Sequence, residues 1–161
     1  MSLGKPEFSR EIALPQMAAT ERLGASIAAR LAVGGAVLLK GDLGTGKTTL
    51  ARSILYTLGV REIVPSPTFT LVQTYETPVL AVRHYDLYRI ESAEELDELG
   101  LEDALAEGAV LIEWPERAGA RMPADALIVE LAITGETART AKLSGPARWA
   151  GAFAEERADA R

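Results

Sequence analysis

The sequence predicts an α/β fold in one domain: a mixed, mainly parallel sheet flanked by helices on both sides, with a late hairpin adding antiparallel edge strands. Three observations predict it. The 161 residues, 48% hydrophobic and 25% charged, are the length and composition of a single hydrophobic core. Apolar runs of strand length alternate with helical periods along the chain, with no linker and no internal repeat. A glycine-rich turn joins one of those runs directly to a helical segment, as in a strand–loop–helix unit.

Each element has its own signal. Glu7 to Ala13 reads as a short strand. Pro15 opens a helix with apolar positions Met17, Ala18, Leu23, Ile27 and Leu31, stopped by Gly34-Gly35. Ala36 to Lys40 (AVLLK) is a buried strand, and after the glycine turn Thr48 to Leu58 is helical until Gly59. Pro65 and Pro67 make Val64 to Thr68 a loop, because each forces an extended residue before it. Thr70 to Glu76 and Val79 to Asp86 are strands about a turn at Thr77-Pro78. Ser92 with Glu95 three residues on is a capping box that starts a short acidic helix. Ala109 to Trp114 is another buried strand, and Ala126 to Thr134 and Ala138 to Ser144 form a hairpin turned at Gly135. Pro146 begins a last helix. Residues 1–161 form one domain, with 1–6 and 155–161 expected to be flexible.

Composition excludes several functions. There is no cysteine and one histidine, His84, which removes disulfides, thiolate chemistry and Cys- or His-rich metal sites. No apolar run reaches the roughly 18 residues of a membrane span and no signal pattern opens the chain, so a cytoplasmic protein without membrane contact is expected. The net charge of −6 is uneven. Residues 1–80 hold 8 basic and 6 acidic groups, net +2; residues 81–161 hold 9 and 17, net −8. Ten of those acids lie between Glu91 and Glu116, a window without Lys or Arg. It would repel a phosphate backbone, so strong direct binding of nucleic acid is not expected. The window is either a solvated helix face or a docking face for a basic partner.

The decisive segment is Gly41-Asp42-Leu43-Gly44-Thr45-Gly46-Lys47-Thr48, a G-x-x-x-x-G-K-[ST] pattern between strand and helix. It predicts a P-loop NTPase-like domain. The glycines let successive N–H groups point at phosphate oxygens, and the helix N-terminus adds positive potential. Lys47 is placed to reach the β- and γ-phosphates and the Thr48 hydroxyl to ligate Mg²⁺. The chemistry also needs an acid at the end of a nearby strand. Two are available, Asp86 in RHYDLYR and Glu113 at the end of AVLIE, and on pattern alone Glu113 follows the better strand. His84 points to the same side as Asp86, as a hydrogen-bonding orienter.

A GTPase is excluded, since the N-K-x-D guanine motif needs an asparagine and the chain has none. The Asp97-Glu98-Leu99-Gly100 match to D-x-x-G has Leu101 in place of the following glutamine. A small-molecule kinase is the alternative, weakened because the region that should form an Arg-rich lid is the basic-free window. A nucleotide-gated interaction module is a third reading.

Beyond the loop, GDLGTGKTTL, SPTFTLVQTYE, HYDLYRI, ELGLEDAL and LIEWPERA occur in an order and spacing that resemble the bacterial TsaE (YjeE) family, from about Leu14 to about Leu143. The resemblance implies an ATPase that binds ATP and ADP with Mg²⁺ and supports threonylcarbamoyladenosine (t6A) modification of tRNA together with TsaB and TsaD. It assigns Gly41 to Thr49, Thr49 included, to phosphate and Mg²⁺ binding. It makes Ser66 to Phe69 a switch segment in which Thr68 senses the γ-phosphate. Asp86 becomes a Walker B-like acid, Glu113 of E-W-P-E the second acid toward Mg²⁺, and Trp114 a neighbour of the nucleotide. It also puts Met17 to Thr20 near the adenine. Gln73-Thr74-Tyr75 departs from the Asn-Glu-Tyr-like run frequent in that family. No arginine finger is identifiable, so turnover is expected to be weak alone and stimulated by partners.

Overall fold

The computed structural model describes residues 6–67 and 69–153. Seven strands form one sheet: β1 (Phe8–Leu14), β2 (Ala36–Lys40), β3 (Val72–Glu76), β4 (Ala81–Asp86), β5 (Gly108–Glu113), β6 (Leu127–Ile133) and β7 (Arg139–Gly145), in the order β1-β7-β6-β2-β5-β4-β3. The neighbours β6-β2, β2-β5 and β5-β4 are parallel, while β1-β7, β6-β7 and β3-β4 are antiparallel. Only β3 and β7 therefore run against the other five. Four helices accompany the sheet: α1 (Met17–Ala28), α2 (Lys47–Leu58), α3 (Glu95–Glu98) and α4 (Leu101–Glu107).

The central strands read as unbroken apolar runs because each lies between two cores. Their period-2 alternation sorts side chains onto opposite faces. Val37 and Leu39 of β2 and Leu111 of β5 join Leu23, Ile27, Leu50 and Ile54 of α1 and α2 in one core. Leu38, Val110 and Ile112 join Leu87, Leu96, Leu101 and Ala104 in the other, beneath α3 and α4. In the first core α1 and α2 cross closely at Gly24, where an added Cβ would lie 2.5 Å from Ser53 Cβ.

Four expectations change in detail. The late hairpin is present, but inside the sheet: β6 pairs with the central β2, and β1 covers β7 to become the edge. The acidic helix is two helices, because Gly100 takes φ +70 between them. Its capping box is incomplete, since the Glu95 carboxylate accepts from the Glu91 N–H rather than from that of Ser92. After Pro146 the chain makes a 3₁₀ segment, Ala147–Phe153, which buries Trp149 and Phe153 against α1 and β1. Apart from Pro6, the ends expected to be flexible lie outside the described residues. Among the described residues no helix is long and apolar enough to cross a membrane.

Candidate functional site

Strand β2 delivers the chain into the glycine loop, and α2 carries it away. Gly41, at φ +141, leaves no room for a side chain, as a Cβ there would stand 2.6 Å from Leu131 O and 2.7 Å from Thr45 Oγ1. Gly46 caps α2 in the left-handed region, φ +102, which a residue with a Cβ enters only under strain. Inside the loop the Thr45 hydroxyl donates to Asp42 O at 2.9 Å. From outside, Arg139 of β7 donates to Gly44 O at 3.2 Å.

Lys47 is buried. Its ammonium donates to Gly41 O and to Asp42 O, the latter at 3.0 Å, and lies 4.2 Å from the centroid of the Trp114 ring. Burial pushes its pKa below the ordinary lysine value, against the pull of Glu113, Glu116, Asp86 and Asp42. Among the described residues, neutral carbonyls and an aromatic face hold the cation directly, and phosphate oxygens would be stronger partners.

The acids converge through sheet register. Asp86 and Glu113 sit opposite one another on β4 and β5, both buried, and parallel neighbours in register share a face. Glu113 is the one that meets the loop: Thr48 Oγ1 lies 2.9 Å from its Oε1 and 3.0 Å from its Oε2. The second carboxylate oxygen also faces His84 Nε2 at 2.6 Å. Asp86 Oδ1 accepts the Tyr88 N–H at 3.0 Å, a short turn that fixes the carboxylate as the chain leaves the strand. Leu43, Gly44, Gly46, Lys47, Thr48, Thr49, Ser66, Asp86, Glu113 and Trp114 line one cleft. Gly41, Asp42 and Thr45 form the far side of the loop, facing a second cavity bounded by Trp114, Glu116 and Glu130.

Among the described residues no group of three or more His, Cys, Asp or Glu side chains is gathered as an all-protein metal cage. One hydroxyl and two carboxylates from α2, β4 and β5 are oxygen donors only, which suits Mg²⁺, a cation that keeps several waters and completes its shell with substrate phosphates. The residues fit it.

Trp114 stands at φ +60, the left-handed region, immediately after Glu113. This turns its indole over Lys47 and against Tyr88, ring centroids 4.9 Å apart. Neither Tyr88 nor Arg139 was singled out by sequence; HYDLYR could have flagged the first, whereas the second depends on where β7 falls in the sheet. Of the expected base contacts, Ala19 and Thr20 are buried and Met17 and Ala18 exposed, since the helical period turns 19, 20 and 23 inward. Met17 shares a groove with Thr49. Thr68 lies outside the described residues. Its neighbour Phe69 is exposed, with the Arg89 guanidinium 4.7 Å from its ring centroid. The basic-free window is partly answered from elsewhere, as Arg121 pairs with Asp97 and Arg83 with Glu107.

A glycine loop running from the central strand into a helix, with a lysine, a hydroxyl and two strand-end carboxylates gathered around it, defines a P-loop-type α/β domain. Comparison with known proteins narrows the class. The sequence model of the family described as "Threonylcarbamoyl adenosine biosynthesis protein TsaE" matches residues 14–141. A Rickettsia bellii protein described as tRNA threonylcarbamoyladenosine biosynthesis protein TsaE is 41% identical over 126 residues, 78% of this chain and 88% of that protein. A Rickettsia conorii protein of the same description is 47% identical over 98 residues, 60% of this chain but 56% of its own length. Among solved structures, the crystal structure of Bacillus subtilis YdiB matches 96% of this chain and 97% of that chain, with a TM-score of 0.78 and 25% identity. The chain belongs to the TsaE family, and so to the biosynthesis of threonylcarbamoyladenosine on tRNA.

Proposed function

We propose that the chain is an ATPase that binds ATP with Mg²⁺ in the loop cleft and hydrolyses it in support of t6A formation, acting with the partner proteins TsaB and TsaD. The observation that carries the reading is the Thr48 hydroxyl set across both oxygens of Glu113, 2.9 and 3.0 Å away, beside a buried lysine whose ammonium donates to two loop carbonyls.

In this reading the loop N–H groups and the α2 N-terminus bind the phosphates, and Lys47 leaves Gly41 O and Asp42 O for the β- and γ-phosphate oxygens. Thr48 and Glu113 would hold Mg²⁺, which would supply charge neutralisation to the transferring phosphoryl group. Asp86, pinned by the Tyr88 N–H, orients the attacking water. Water oxygen bonds to the γ-phosphorus as the bond to the β-bridging oxygen breaks. ADP leaves with the electron pair, and the water's proton ends on phosphate. Trp114 and Tyr88 shield Lys47 from solvent. Arg117, its guanidinium 5.3 Å from the Tyr88 ring, and Arg139, bonded to Gly44 O, are both engaged. A partner therefore completes the charge stabilisation or closes the site.

The test is phosphate release from ATP by the purified chain, with and without TsaB and TsaD, followed alongside tRNA modification. Slow release alone and faster release with both partners is the expected result. Full turnover alone, indifferent to partners, refutes the coupling, and transfer of phosphate to a metabolite in place of free phosphate establishes a kinase.

A further inference from the structure

The nucleotide reading uses two acids and leaves aside a buried imidazole bonded to one of them. We infer that His84 is a positioning residue for Glu113: its Nε2–H donates to Glu113 Oε2 and fixes the rotation of the carboxylate that faces Thr48.

His84 is the one histidine of the chain and has no exposed surface. It lies two residues before Asp86 on β4 and opposite Leu111, itself two residues before Glu113 on β5. Imidazole and carboxylate therefore project from the same face, one pleat apart, which brings Nε2 to 2.6 Å from Oε2. A carboxylate in this network can only accept, so the hydrogen of that bond belongs to Nε2.

The consequence lies at the far end of Glu113. Rotation about the last torsion of a glutamate side chain is broad and only weakly restrained by its own sterics. Yet Thr48 Oγ1 sits almost equidistant from both oxygens, at 2.9 and 3.0 Å, which holds for only a narrow range of that torsion. A single hydroxyl shared between two equivalent acceptors does not choose the rotation. The short bond to a ring locked in the sheet does, and it leaves Oε1 facing Thr48 alone among the described residues. Hydrogen-bonded partners of ligating carboxylates commonly hold metal affinity in this way, their loss costing on the order of 10–100-fold.

The functional half of this inference rests on the Mg²⁺–nucleotide reading, so two measurements separate them. In untagged protein labelled with ¹⁵N histidine, the single imidazole gives one pair of ring nitrogen signals. Without nucleotide or metal, Nε2 is expected to carry a hydrogen, and Glu113→Ala is expected to shift the Nε2–H signal. A bare Nε2, or signals indifferent to Glu113→Ala, overturns the inference. The second measurement is ATP affinity by calorimetry in EDTA and in Mg²⁺. His84→Leu should keep the affinity in EDTA and lose about tenfold of the enhancement by Mg²⁺. His84→Gln, whose amide N–H reaches the place of Nε2, should restore most of it, and His84→Asn, which reaches only the place of Nδ1, should not. Equal losses in the leucine and glutamine variants, with equal thermal stability, overturn the positioning role. Wild-type affinity indifferent to Mg²⁺ refutes the metal reading instead, and the ring signals still decide whether His84 holds Glu113.

Discussion

Gly24→Ala sets two opposing effects of known sign against each other at the crossing of α1 and α2. Inside a helix, alanine is favoured over glycine by about 1 kcal/mol, so local propensity alone predicts a more stable protein. The structure predicts the reverse. The new Cβ would stand 2.5 Å from Ser53 Cβ and 3.2 Å from both Ile54 N and Ser53 C, where carbon atoms pack best at about 3.5–4.0 Å. The helices must separate by roughly 1 Å, and overfilling a packed core costs about 1–3 kcal/mol. The net expectation is a loss of up to about 2 kcal/mol, or a fall in Tm of up to roughly 8 °C for a chain this long. Chemical denaturation with coincident far-UV and fluorescence transitions measures it. Because α2 begins at Lys47 and Thr48, the same displacement should weaken ATP binding, since a site of this kind tolerates little misplacement. In a Ser53→Gly background, which removes the nearest atom, alanine at 24 should cost less by about 1 kcal/mol or more. A single Gly24→Ala variant stabilised by the full propensity gain would refute the close-crossing argument.

Two further outcomes follow from the buried cation. Burial lowers the Lys47 pKa below 10.5, so between its folded value and 10.5 the unfolded chain holds the proton more tightly. Lys47 thus makes folding stability rise with pH through that window, and the gain is lost as pH falls through the folded value. Denaturation of wild type and Lys47→Met at about pH 7 and about pH 10 should show this rise in the difference between them, with ATP binding abolished in the variant; a difference flat in pH refutes the burial argument. The fluorescence of Trp114, with the ammonium 4.2 Å from its ring centroid, should change on ATP titration in Trp149→Phe protein and be silent in Trp114→Phe. A signal that survives in Trp114→Phe would assign the change to Trp149 and refute the movement of Lys47 off the indole.

The glycine loop, β2, α2 and β5 were legible because each is a local pattern: a fixed spacing, an apolar run, a glycine stop. Asp86 and Glu113 were legible as strand-end acids for the same reason. Which of them meets Thr48 was not, because that depends on β5 lying directly beside β2 with β4 one strand further out, and strand order has no local signal. The late hairpin was found as a hairpin and misplaced as an edge on the same ground. Arg139 reaches Gly44 O only because β7 lies inside the sheet. The capping box was misread because Ser92 and Glu95 satisfy its spacing while the glutamate carboxylate bonds one residue earlier, at Glu91.

Backbone strain escapes the sequence altogether, and here it brackets the two acids. Leu71 and Trp114 are the non-glycine residues at positive φ among those described, at +68 and +60; for residues with a side chain that region costs about 1–2 kcal/mol each. Neither is idle. The Leu71 carbonyl accepts the Asp86 N–H at 2.9 Å, and Leu71 is itself held by its N–H on Pro67 O at 2.7 Å. Trp114 is held by its N–H on Leu39 O at 3.3 Å, so the end of β5 is tied to the end of β2 one residue beyond Glu113. Had either residue kept an extended backbone, its strand would have run on past the acid, and the Trp114 indole would have followed the alternation of the sheet instead of covering Lys47. Strain of this size persists only where surrounding bonds over-determine it. Its place, at the ends of the two segments that flank Asp86 and Glu113, is where rigid carboxylates are needed and where continued sheet pairing would close the cleft.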